Sequence, residues 1–228
     1  MVGNDIVDLQ FADSPCYQHV AHIGRVCTPD ELTFVHNADE PSIVLASMWV
    51  SKEAAYKLIS KSMSCRFVPR QFAVSLTNPD EATAARAAIV SYAGIATRVE
   101  LSVCENWVHA VAVSPAVQVV RWAVRDIEKC FSGDRRATDE SEAVRFLATE
   151  RSANYFGEDV LLNFQGRTPI LVHPSGGRAG VDVSFSHHGR FAAVAMAWPA
   201  RIERPTRNSA ERCANLSRAE EMCFTCTA

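Results

Sequence analysis

The sequence predicts an α+β protein built from two copies of one small lobe, a helix packed on antiparallel strands, related by a pseudo-two-fold axis with the active site between the lobes. Three observations carry this expectation. Each half reads as a helical segment followed by strand segments. Val99–Val113 set beneath Val183–Ala197, an offset of 84 residues, brings Ser102 under Ser186, Trp107 under Phe191 and Val111 under Ala195. Finally, 48% hydrophobic against 21% charged residues is enough to fill a core in each lobe and too apolar for disorder. Each lobe alone would leave an apolar face uncovered, and packing the two together buries both.

The elements follow in order. Asn4–Leu9 is extended. Ile43–Ser60 repeats Val44, Met48, Ala55 and Leu58 at helical spacing. Gln71–Leu76 and Thr97–Ser114 read as strands, with Asn78-Pro79-Asp80 as the break between them. After the polar stretch Ser132–Thr138, Asp139–Ser141 can cap a helix through Val144, Phe146, Leu147 and Ala148 to about Tyr155, where Gly157 ends it. Leu162–Phe164 and Val181–Trp198 are strand-like, separated by the loop Pro174–Gly180. The expected division is residues 1–115, residues 116–199 and a flexible polar tail at 200–228.

Charge and composition narrow the function. Lys+Arg 23 against Asp+Glu 26 gives a net charge of −3 with no basic block, which argues against a nucleic-acid partner. Apolar runs such as Phe191–Pro199 fall short of the ~20 residues a spanning helix needs, and no basic-then-apolar leader opens the chain. A soluble cytoplasmic protein with no membrane association is expected. The eight cysteines are expected as thiols, and the lone CxxC of Cys223 and Cys226 has no second ligand pair.

Two carboxylates stand out, Asp5 in GNDIVDL and Glu53 in WVSKEAAYK. Mg²⁺ is commonly held by one or two carboxylates plus substrate phosphate oxygens and water, a task that suits this pair. Glu53 and Lys57 lie four apart on one helical face, a spacing that by itself describes an ordinary surface ion pair. Ser186-His187 before Gly189 is by itself an ordinary way to satisfy the backbone near a tight turn. Asp8 falls on the opposite side of a strand from Asp5, and His188 opposite His187, so both are read as structural. His19, His22, His36, His109 and His173 share no ligand spacing and are read as surface or locally hydrogen-bonded. No GxSxG elbow accompanies the Ser-His pair, which excludes serine hydrolase chemistry.

GNDIVDL, WVSKEAAYK and VSFSHHGRFAAVA together resemble the three signatures of the 4′-phosphopantetheinyl transferase family, the holo-acyl-carrier-protein synthase superfamily. Arg25–Leu32 is similar to that family's R-hydrophobic-x-T-x-x-E segment, and Gly166–Ile170 to its GKP-like segment. The resemblance spans about residues 1–198. Two-lobed relatives carry the SH motif first and the metal motifs second; here the order is reversed.

The resemblance implies transfer of the 4′-phosphopantetheine arm from coenzyme A to a serine of an apo acyl or peptidyl carrier protein, with release of 3′,5′-ADP. It implies Mg²⁺ on Asp5 and Glu53, Lys57 supporting the phosphates, and Glu53 as base. Ser186, His187 and Arg167 would bind the 3′-phosphate of coenzyme A, and Lys52 would touch phosphate. Where some relatives have a third metal carboxylate, this chain has Val7. Arg25, Arg66 and Arg70 are the arginines expected to meet an acidic carrier. A monomer is expected, because the duplication supplies internally what single-lobe relatives obtain by trimerising. Two other classes share part of this pattern: a non-catalytic relative that binds coenzyme A or a carrier protein, and a Mg²⁺-dependent pyrophosphatase or nucleotide hydrolase.

Overall fold

The computed structural model describes residues 1–11, 20–77, 85–127, 140–156 and 160–199. The expected turn at Asn78-Pro79-Asp80, the polar stretch 132–138, the cap residue Asp139, the helix end at Gly157 and the tail 200–228 lie outside the described residues.

The first half runs β1 (Val2–Asp8), α1 (Val20–Val26), α2 (Pro29–His36), α3 (Pro41–Ile59), a 3₁₀ turn at Pro69–Gln71, β2 (Ala73–Thr77), β3 (Ala85–Tyr92), β4 (Ile95–Val103) and β5 (Trp107–Val113). The second runs β6 (Val117–Asp126), α4 (Glu140–Phe156), β7 (Leu161–Gln165), β8 (Thr168–Val172), β9 (Arg178–His188) and β10 (Phe191–Pro199). Each half forms one antiparallel five-stranded sheet, ordered β1-β5-β4-β3-β2 and β6-β10-β9-β8-β7. The two orders are the same once the chain order is renumbered, with α3 and α4 in the same place. The fold is the expected α+β duplication.

Register shows how close the copies are. Ser102 faces His109 across β4 and β5, and Ser186 faces Ala193 across β9 and β10, so the 84-residue offset maps one hairpin onto the other pair by pair. It also carries Ala110, opposite Asp5, to Val194, opposite Ala123, and Val108, opposite Val7, to Ala192, opposite Arg125. Asp5 is therefore matched by Ala123 in the second lobe, and Val7 by Arg125.

Several elements carry no clear sequence signal. β3 is alanine-rich, β8 contains Pro169, a residue that ordinarily argues against an interior strand, and β6 alternates with arginines. α1 and α2 are single short helices; α2 starts at a capping box in which Thr28 and Glu31 satisfy each other's backbone N–H groups. The loop expected at Pro174–Gly180 is shorter, because β9 begins at Arg178.

α3 buries Val44, Leu45, Met48, Val50, Ala54, Ala55 and Leu58 against the first sheet, and α4 buries Ala143, Val144, Leu147 and Ala148 against the second. The lobes meet through the opposite faces of their sheets, where Val2 and Val111 pack with Ala195 and Ala197, and Ile6 packs with Phe191 and Ala193. Among the described residues no helix is long and apolar enough to cross a membrane. Cys27 is a buried thiol and Cys65 a partly buried one.

Candidate active site

β1 is the edge strand of its sheet and alternates between two environments. Its odd residues face α3. At Gly3 the strand and helix approach so closely that a Cβ would lie 2.1 Å from the Ala54 carbonyl oxygen and 2.7 Å from the Leu58 nitrogen. Two residues on, the same face carries Asp5, held against the last turns of α3. Glycine at position 3 is what lets the carboxylate and the helix meet.

Lys57 Nζ donates to Asp5 Oδ1 at 2.7 Å, to the Asn4 carbonyl at 3.1 Å and to the Phe185 carbonyl at 3.5 Å. Ser186 Oγ donates to the same Asp5 Oδ1 at 2.9 Å from the second lobe. Oδ2 takes no protein hydrogen bond among the described residues. Glu53, one turn before Lys57, has its carboxyl pushed up to about 7, first by burial and then by the negative charge of Asp5, with Lys57 opposing. Two carboxylates thus share a partly enclosed space that one ammonium does not neutralise.

Asp5 and Glu53 could together contribute oxygen ligands to a divalent cation. Asp5 Oδ2 is open, Glu53 is destabilised as an anion by its neighbour, and hard oxygen ligands are what Mg²⁺ takes. Among the described residues no group of three or more His, Cys, Asp and Glu side chains converges, so this is not a complete protein cage.

The outward N–H groups of an edge strand need partners. On β1 they find them in the side chains of β9: Val2 donates to Asp182 Oδ2 (2.6 Å), Asn4 to Ser184 Oγ (3.0 Å), Ile6 to Ser186 Oγ (2.9 Å) and Asp8 to His188 Nδ1 (3.1 Å). Both ends of this ladder are closed by ion pairs. Lys61 Nζ lies 2.9 Å from Asp182 and also donates to the carbonyls of Val2 and Val183. Arg190 grips the buried Asp8 carboxylate through Nε at 2.8 Å and a terminal nitrogen at 2.9 Å. Burial raises the Asp8 pKa, but the Arg190 hydrogen bonds outweigh it and hold the carboxyl below its ordinary value. Asp8 and His188 are structural, in line with the sequence reading.

Other expected residues fall elsewhere. Lys52, expected at the phosphate, is fully buried on another side of α3. Its Nζ donates to Glu31 at 2.6 Å and to the carbonyls of Val26 and Pro69, so every proton is used inside the first lobe. This corrects the expectation: at residue 52 the helix turns into the core, five positions from Lys57. His187 points to the opposite side of β9 from Ser186, where its Nδ1 lies 2.6 Å from Glu140 at the start of α4. Arg167 is exposed on the β7–β8 turn. His109, read as a surface or locally hydrogen-bonded histidine, is hydrogen-bonded but not at the surface: it is buried at the lobe junction. Its Nε2 is 3.3 Å from Asn4 Nδ2, and burial, then the Lys57 charge, push its pKa down to about 3.

The second lobe does not repeat the acidic pair. Ala123 replaces Asp5, and the Glu150 carboxylate is taken by Arg125 at 2.6 Å. Gly3, Lys61, Asp182 and Ser184 were not singled out from the sequence. A usable signal was present: Asp182, Ser184, Ser186 and His188 form a period-two polar stripe in an otherwise apolar strand, and Glu53, Lys57 and Lys61 recur every four residues.

Fold and site together define a duplicated α+β protein whose lobes jointly enclose one acidic, lysine-bridged centre. Residues 1–112 match the model of the 4′-phosphopantetheinyl transferase superfamily, the family whose signatures the sequence motifs resemble. No curated protein matches the chain.

Proposed function

We propose that this protein transfers the 4′-phosphopantetheine arm of coenzyme A to a serine hydroxyl of an apo acyl or peptidyl carrier protein, acting as a monomer whose lobes are residues 1–115 and 116–199. The observation that carries this reading is the meeting of Asp5, Glu53 and Lys57 from the first lobe with Ser186 from the second. The match of residues 1–112 to the 4′-phosphopantetheinyl transferase superfamily supports the reaction class.

Asp5 and Glu53 would hold Mg²⁺, which when bound neutralises the phosphate charge that otherwise resists attack. Lys57 orients Asp5 through their 2.7 Å ion pair and would add positive charge beside the phosphates. Glu53 is assigned as the base that accepts the proton of the carrier serine hydroxyl. The serine oxygen bonds to the β-phosphorus of coenzyme A, the bond to the bridging oxygen breaks, and 3′,5′-ADP leaves.

A cleft of about 610 Å³ opens one turn beyond Lys57, lined by Ser60 and Lys61 on one side and Thr168, Arg178 and Asp182 on the other. Its size and mixed lining suit a nucleotide-bearing substrate. The half-exposed His187 and the exposed Arg167 are assigned to the 3′-phosphate, which would replace Glu140 as the partner of His187. Arg25, Arg66 and Arg70 are exposed and available to an acidic carrier.

Intact-mass analysis of apo carrier proteins incubated with the protein and coenzyme A tests the reading. A gain of one phosphopantetheine arm that needs Mg²⁺ and disappears in Asp5→Ala is expected. Absence of the gain across acyl and peptidyl carriers would overturn it.

A further inference from the structure

The resemblance assigns Ser186 to the substrate, but the geometry gives its hydroxyl other work. A serine hydroxyl has one proton to donate, and that of Ser186 goes to Asp5 Oδ1 at 2.9 Å. Its oxygen accepts the Ile6 N–H at 2.9 Å, and the residue is 4% exposed. A phosphate oxygen could reach this group only by taking the proton from Asp5 and opening the seam between β1 and β9.

The environment is built to hold Ser186 in place. Its neighbours on the same face of β9, Ser184 and His188, cap the N–H groups of Asn4 and Asp8, so the strand is registered against β1 on both sides. Beyond them Asp182 with Lys61 and Asp8 with Arg190 close the two ends. Lys57 reaches the same Asp5 oxygen while donating to the Phe185 carbonyl, the residue before Ser186. With Oδ1 taken by donors from both lobes, the orientation of Asp5 is set and Oδ2 is left open.

We propose that Ser186 is a positioning residue for Asp5: a hydroxyl lent by the second lobe that fixes the carboxylate for the cation, and not a ligand of the coenzyme A phosphate. The site in the first lobe is then complete only when the second lobe is docked. This rests on the reading given under Proposed function.

The test uses the full chain with Ser186→Ala, and Ser186→Cys as the variant that keeps the side-chain volume. Titration calorimetry reads Mn²⁺ affinity in the presence of coenzyme A, and compares binding of coenzyme A with 3′-dephospho-coenzyme A. Loss of a group that orients a metal ligand is expected to weaken Mn²⁺ roughly 10- to 100-fold. The preference for coenzyme A over its 3′-dephospho form is expected to stay at the wild-type ratio in both variants. A ratio that falls towards one, or an unchanged Mn²⁺ affinity, overturns the proposal. Failure of the underlying reading would show earlier and separately, as a wild-type protein that neither binds coenzyme A nor modifies any carrier.

Discussion

Glu53 is the residue whose ionisation the fold opposes most visibly at the site. Burial and the adjacent Asp5 raise its carboxyl from the ordinary 4.5 to about 7. Because the folded value lies above the unfolded one, its contribution to stability is fully present below 4.5 and is lost as pH rises through about 7. In chelator at pH 8, Glu53→Gln should therefore be more stable than wild type, by roughly 1–3 kcal/mol, and the two should converge towards pH 4.5. Thermal unfolding across that range measures it. His109 works in the opposite direction: its folded value of about 3 lies below the ordinary 6.5, so the neutral ring favours the folded state above 6.5 and that share is lost as pH falls.

At the scale of elements, α3 is the part that brings Glu53 and Lys57 to β1, and its rotation is held from behind. Lys52 and Glu31 form a fully buried ion pair, and Glu31 also accepts the N–H groups of Thr28 and Val74 at 2.7 and 2.6 Å. Burial lowers the Lys52 pKa, with the Glu31 hydrogen bond opposing, so the ammonium depends on its partner. Removing one member of a buried pair leaves a charge without compensation. Lys52→Met should cost about 3–5 kcal/mol, read as a lower urea midpoint, although this lysine does not reach the site. A cost under about 1 kcal/mol would mean that α3 is held by its apolar packing alone.

Across the whole molecule, the lobes are joined by apolar contact between sheet faces and by the ladder from β1 to β9. Arg190 locks the Asp8 end, where Gly189 at φ +55° is required: a Cβ there would lie 2.8 Å from Asp8 Oδ2. Arg190→Ala leaves the Asp8 carboxylate buried without its cation. Hydrogen exchange should accelerate in the β9–β10 turn and at the end of β1, while α3 and β4 keep their protection. Uniform acceleration through the first lobe would show instead that the lobes unfold as one unit and that the junction is not a separate element of stability.

What could be read from the amino-acid order was local or periodic. The helical spacing of Val44, Met48, Ala55 and Leu58, the paired hairpins 84 residues apart, and the motifs holding Asp5, Glu53 and Lys57 are all visible without coordinates. So is the opposite facing of Asp5 and Asp8, since alternation along a strand is a property of the backbone. Long-range docking decided the rest. Which side of α3 meets β1 determines that Lys57 reaches Asp5 while Lys52 enters the core. The seating of β9 beside β1 turns Ser186 towards a carboxylate 181 residues away and His187 towards Glu140. Sequence specifies the period of each element, and hence which side chains share a face; only the packed structure specifies what that face meets, because the partner comes from a distant part of the chain.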